Sequence, residues 1–235
     1  MKTRYKIIIG FVIFLVISAG LLSIWIDKRN REMYENTFRS DIDYDVRIVT
    51  DAVLQNVTLY IPLPAHNNTS AVGRNIIDTN FNEDDLSWKY ALVDNEHGLM
   101  LSLKNNEVKP PTRLYFSADL GTMVSVDHEL NTKDPIGNEM VLSPKYEVTP
   151  VDAGKYWYFD DVYTYKSMVY AEYATIPDAN VEISISLDGR NSWWTGGWQS
   201  NDYAEQIDIQ LSGPQDGWTT VYGEMVAGEG VYKEY

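Results

Sequence analysis

Three tryptophans, Trp193, Trp194 and Trp198, stand in the stretch RNSWWTGGWQSNDY (Arg190–Tyr203), among Gly, Ser, Asn and Gln. An indole offers a flat apolar face and one N–H donor, a pairing that suits the C–H face of a sugar ring. Asn191 and Gln199 stand beside the indoles with amides for hydroxyl groups. Trp193, Trp194, Trp198, Asn191 and Gln199 therefore form one candidate ligand-binding set. The competing reading is structural. Trp193 and Trp194 point to opposite faces of an extended segment, so one of them plugs the open end of a β core while Gly196-Gly197 turn the chain back. A third reading makes the aromatics a contact for another protein.

Other chemistry has less behind it. His66, His97 and His128 fall in three different loops, and lone loop histidines are usually solvated. The chain has no cysteine, which removes thiol nucleophiles and Cys-containing zinc sites. It also has no Gly-x-Ser-x-Gly elbow. Glu83-Asp84-Asp85 and Asp160-Asp161 are the acids from which a surface hydrolase would draw, but two-carboxylate catalysis needs a fixed separation in space. Asp41-x-Asp43-x-Asp45 has the spacing that opens a calcium loop. It lacks that loop's Gly and distal Glu, and Ile42 and Tyr44 between the acids read as the buried face of a strand. The sequence thus predicts a non-enzymatic protein with no metal and no cofactor. Asn56-Val57-Thr58, Asn67-Asn68-Thr69 and Asn68-Thr69-Ser70 make Asn56, Asn67 and Asn68 candidate glycosylation acceptors, at a frequency that chance composition alone explains.

The elements that must position these residues begin with a span. Ile7 to Ile26, IIIGFVIFLVISAGLLSIWI, carries no charge. At about 1.5 Å per helical residue it reaches roughly 30 Å, the thickness of a bilayer's hydrocarbon core. Ser18-Ala19-Gly20 resembles a signal-peptide cleavage site, but the apolar run continues past it, so an uncleaved signal-anchor is preferred. Three basic residues flank each side, which leaves the positive-inside rule almost silent. Bulk charge decides instead. After the span come 16 of the 19 basic residues and all 34 acidic ones, a balance of −18. Such a body is repelled by nucleic acid and by an anionic cytoplasmic leaflet. The expected topology is a cytoplasmic tail (1–6), a transmembrane helix (7–26) with the lipid bilayer as partner, a helical stalk (27–40) and an extracellular domain (41–235).

Beyond the span, Asp27/Arg31, Lys28/Glu32, Arg31/Glu35 and Glu35/Arg39 are opposite charges at the helical i,i+4 spacing. From Ile42 the period becomes two: Ile42, Tyr44, Val46 and Ile48 alternate with polar residues. Further strands are expected in LQNVTLYIPLP, in SWKYALV paired with GLMLSLK, at Arg113–Ser117, Met140–Val148 and Tyr163–Ile176, and in VEISISLDG, closed by an Asp-Gly turn. QIDIQLSG and GWTTVYGEMV form a last hairpin. Asp188 to Ala204 is left as a long connection, and TNFNEDDLS as one helical turn at most. The fold class is all-β: an antiparallel β-sandwich preceded by one transmembrane helix.

NVTLYIPLP, SISLDGRNSWWTGGW and QIDIQLSGPQDGWTTVYGEMVAGEGVY together resemble uncharacterised archaeal single-pass membrane-anchored surface proteins, across most of Tyr44–Tyr232. The resemblance implies an acidic, cysteine-free β ectodomain at the cell surface, and no catalytic residue. The expected function is a structural or protein-interaction role in the cell envelope, touching envelope proteins or glycans. The alternative is a carbohydrate-binding module using the Trp193–Trp198 loop.

Overall fold

The structure is a computed structural model that describes residues 2–79, 88–110, 118–151 and 161–232, with the side chains of 2–7, 118 and 119 left aside. The expected strand at Arg113–Ser117, most of the expected turn TNFNEDDLS, and the acids Glu83, Asp84, Asp85 and Asp160 lie outside the described residues. Two compact units result.

The first unit holds helix α1 (Lys2–Thr37), Phe38, the segment Ser192–Ser200, and Val231 with Tyr232. One unbroken helix runs through the apolar span and the charged stretch that follows it. Phe11, Phe14, Val16, Leu21 and Ile24 are all at least 60% exposed, so none of the described residues covers the span. Further along, the i,i+4 pairs Lys28–Glu32 and Arg31–Glu35 close at 3.9 and 3.6 Å. Both are exposed and add little stability.

The second unit is all β apart from one short helix. Its strands are β1 (Arg39–Thr50), β2 (Leu54–Ala65), β3 (Lys89–Asn95), β4 (Gly98–Val108), β5 (Ala118–Val126), β6 (Val141–Ser143), β7 (Tyr146–Val151), β8 (Asp161–Ala174), β9 (Asn180–Trp194), β10 (Trp198–Ser212) and β11 (Gln215–Gly230), with helix α2 (Ala71–Thr79) after β2. They form one antiparallel sheet in the order β3-β4-β2-β8-β11-β10-β9-β1-β5, with β6 beside β2 and β7 beside β8. The expected hairpins form: β3 with β4 from Lys89↔Lys104 to Asn95↔Gly98, and β10 with β11 around the turn after Ser212.

The sheet curls until its far strands meet over a shared core. Ile42 and Val46 of β1, Leu59 and Ile61 of β2, Ile185 of β9 and Ile207 of β10 belong to one buried cluster. Tyr44 of β1 donates a 2.7 Å hydrogen bond to the carbonyl of Pro62 in β2, although four strands separate the two in the sheet. The single curled sheet thereby supplies both walls of the expected all-β core. Its edge strands, β3 and β5, would otherwise expose unpaired backbone. Helix α2 fills that seam. Ser70 caps it by accepting from the Gly73 amide at 2.8 Å, Asn75 accepts from Thr122 of β5 at 2.8 Å, and Gly73 lies against Leu92 of β3 and Leu63 of β2. The sequence reading contains no helix here: a nine-residue element with three inward residues is too short to show a stripe.

Two corrections concern strand length. The expected Asp188-Gly189 turn is not a turn, because β9 continues through it to Trp194. The expected strand at Met140–Val148 is two short ones, β6 and β7, separated by Pro144 and Lys145. Gly189 serves packing instead. A Cβ placed there would lie 2.2 Å from the ring of Tyr203, a fully buried side chain on β10. Gly223 of β11 makes the same allowance for Tyr165, at 2.4 Å. Gly189→Ala is expected to lower stability by about 1–3 kcal/mol or more, since a buried ring cannot retreat. Gly197→Ala, with nothing within 4 Å of its Cβ, should be near neutral. Comparing the two thermal midpoints checks this.

Candidate functional site

The tryptophan segment is a hairpin tip rather than a long loop. β9 ends at Trp194, β10 begins at Trp198, and only Thr195–Gly197 connect them, with Gly196 at φ +78° and the Thr195 amide bonded to the Gly197 carbonyl at 3.0 Å. Glycine adopts a positive φ without the Cβ clash that other residues meet there. The Asp188–Ala204 connection of the sequence reading thus shrinks to three residues.

Trp193 is buried, at 2% exposure, against Tyr34 and Phe38 at the end of α1, with ring centroids 5.6 and 6.4 Å away. Thr37 accepts a 2.8 Å hydrogen bond from the Trp194 amide. The tip is therefore seated on the end of the long helix. Trp194 and Trp198 point away, 38% and 59% exposed, and meet edge to face at 5.8 Å. Gln199 is half-buried beside them.

Asn191 does not join this set. It is buried at 1% exposure inside the β unit. Its Oδ1 accepts from Ser40 at 2.7 Å and from the Leu130 amide at 2.9 Å, while Nδ2 donates to the Leu130 carbonyl and to Asn201 Oδ1, both at 2.8 Å. All four hydrogen-bonding positions of the amide are filled internally. Thr132 also donates to Asn201 Oδ1, at 2.8 Å. The network ties β1, β9, β10 and the segment after β5 together.

That segment carries a titrating contact. His128 Nε2 lies 3.1 Å from Glu139 Oε2, and Glu139 Oε1 accepts from the Asn131 amide at 2.7 Å. The hydrogen bond to Glu139 raises the His128 pKa above its usual value. A raised folded pKa contributes stability that is fully present below the unfolded value of 6.5 and is lost as pH climbs through the folded one. The midpoint of melting is therefore expected to fall as pH rises above 6.5, and His128→Asn to flatten that slope.

A second buried group was not legible as a site. Glu205, on the core face of β10, accepts from the Leu142 amide at 3.0 Å and from Tyr165 Oη at 2.7 Å, and pairs with the buried Lys145 ammonium. Lys145 also lies 3.5 Å from the centre of the Tyr165 ring. Burial pushes the Lys145 pKa down, against the pull of Glu205, and pushes the Tyr165 hydroxyl up. The signal in the sequence is Glu205 itself, a charge in register with Tyr203, Ile207, Ile209 and Leu211 on the inward side.

The outer face carries aromatics that the sequence reading missed. Tyr60 of β2, Tyr170 of β8 and Trp218 of β11 are direct register partners across three adjacent strands. Tyr60 stacks on Tyr170 at 5.0 Å, Trp218 leans on Tyr170 at 5.4 Å, and His97 meets Trp218 edge-on at 4.5 Å. His97 Nδ1 lies 3.1 Å from Tyr146 Oη. None of these aromatics is fully buried. No two of these three strands are joined by a tight hairpin, so the row exists only after the sheet has paired.

The three sequon asparagines are all exposed and all have positive φ: Asn56 at 54°, Asn67 at 49° and Asn68 at 57°. Asn56 lies where the β2–β8 register shifts, and Asn68 Nδ2 donates to Asp94 at 3.2 Å. Comparison of the chain with models of protein families, with curated proteins and with solved structures returns no match.

Proposed function

We propose that this is a membrane-anchored surface protein whose acidic β body stands outside the cell and serves a structural or protein-interaction role in the envelope. The observation that carries the reading is α1. Its segment Ile8–Thr37 has a mean hydropathy of 2.6 in its most apolar window, none of that window is buried, and it is long and apolar enough to cross a membrane. A helix that is apolar on all sides and uncovered by protein suits a lipid surround, which supports the reading. The outward orientation draws support from the −18 balance after the span and from the resemblance to archaeal surface proteins. Treating intact cells with an impermeant protease should remove the β body. Survival of the body while known surface proteins vanish would overturn the orientation.

A carbohydrate-binding module at the tip is the second reading, favoured by the exposure of Trp194 and Trp198. Only these two indoles and Gln199 serve it, since Trp193 and Asn191 are committed to the interior. Envelope glycans should then quench the tryptophan fluorescence of the detergent-solubilised protein, and Trp198→Ala should abolish the response. Equal quenching in wild type and variant would remove the tip from consideration.

A further inference from the structure

Two neighbouring rows of the outer sheet face place complementary chemistry side by side. One row runs Lys89, Lys104, Thr58, Glu172, Asp216, each the register partner of the next across β3, β4, β2, β8 and β11. Two residues along the same strands, the other row runs Ala91, Ser102, Tyr60, Tyr170, Trp218. A cavity of about 300 Å³ opens on the first row, lined by Lys89, Lys104, Asn56, Thr58, Asn106 and Glu172 among others. That volume is at the lower end of those that take small ligands.

The lysines are the informative pair. Lys89 and Lys104 are directly opposed across an antiparallel ladder, and both are exposed. Like charges so placed destabilise the hairpin that carries them. Neither makes an ion pair among the described residues, in a chain with 34 acidic residues to 19 basic ones. Around them stand groups suited to hydroxyls: the amides of Asn56 and Asn106, the Thr58 hydroxyl and the Glu172 carboxylate. Asn56 sits at the β2 bulge, which turns it out of the ladder. Next to the cavity, the stacked Tyr60 and Tyr170 rings supply an apolar face.

We propose that this groove binds an acidic saccharide, its carboxylate held between Lys89 and Lys104, its hydroxyls on Asn56, Asn106 and Glu172, and an adjoining ring laid against Tyr60. The proposal does not rest on the anchored topology. Protease shaving tests location, and the binding test below tests only the groove.

The test uses the full-length protein in detergent micelles, titrated by calorimetry with a uronate trisaccharide, a neutral trisaccharide and inorganic phosphate. The uronate trisaccharide should bind, with the neutral one at least tenfold weaker. Lys89→Gln/Lys104→Gln should weaken uronate binding at least tenfold while leaving the melting midpoint unchanged or raised, because the opposed charges are gone. Tyr60→Ala should also weaken it, and Tyr222→Ala, elsewhere on the outer face, should not. Absence of uronate binding, or binding that survives the double lysine change, overturns the proposal. Phosphate competing as well as the uronate, with Tyr60→Ala silent, also overturns it by reducing the groove to a plain anion site.

Discussion

Glu205→Ala is expected to destabilise the β body by about 3–5 kcal/mol, the cost of breaking a buried ion pair from one side. Three partners lose their acceptor at once: the Lys145 ammonium, Tyr165 Oη and the Leu142 amide. Lys145 is the costliest, with a side chain only 8% exposed against 0% for Glu205. Burial already lowers its pKa, and Glu205 opposes that shift. With Glu205 gone, burial acts alone. A lysine whose folded pKa lies below its unfolded value of 10.5 binds fewer protons folded than unfolded. Its contribution to stability therefore rises with pH through that interval, and the variant should regain stability as pH increases above neutral. Urea melts of wild type and variant at two pH values measure both effects. Lys145→Met/Glu205→Leu should recover the part of the loss that Lys145 carries, because an apolar pair of similar volume needs no charge partner, while Tyr165 Oη and the Leu142 amide still lack their acceptor. A variant within 1 kcal/mol of wild type would mean that Glu205 is not enclosed as described.

Asn191→Ala is expected to cost on the order of 3 kcal/mol, from unmet buried polar groups and a small cavity. The amide and carbonyl of Leu130 and the hydroxyl of Ser40 would each lose a partner inside the body, while Asn201 Oδ1 would keep Thr132. Trp198→Ala, at an indole 59% exposed, should change stability by only about half a kcal/mol. Thermal melts of the two variants separate the roles of residues seven positions apart. Equal, small effects would return Asn191 to the surface set at the tip.

Local pattern carried much of the architecture. The uncharged run from Ile7 to Ile26, the i,i+4 charges beyond it and the alternation Ile42, Tyr44, Val46, Ile48 are short-range signals, and α1 and β1 follow them. The β3–β4 and β10–β11 hairpins were legible because their partners lie next to each other in sequence. The question raised by the tryptophans was only half answerable. Alternation says that Trp193 and Trp194 face opposite ways, and they do: one is buried and the other is exposed.

Which of them faces in, and what covers it, was decided by contacts with Tyr34 and Phe38, more than 150 positions away. The same holds elsewhere. Asp188-Gly189 reads as a turn because Asp-Gly usually is one, yet Gly189 is there to admit a tyrosine ring from the neighbouring strand. Asn191 reads as a surface amide, yet it is saturated by groups from three other segments. Tyr60, Tyr170 and Trp218, and Lys89 with Lys104, become rows only through register. Periodicity depends on a residue's neighbours in the chain and so determines which face it takes. Register and closure depend on partners far along the chain, and only the folded sheet brings those together.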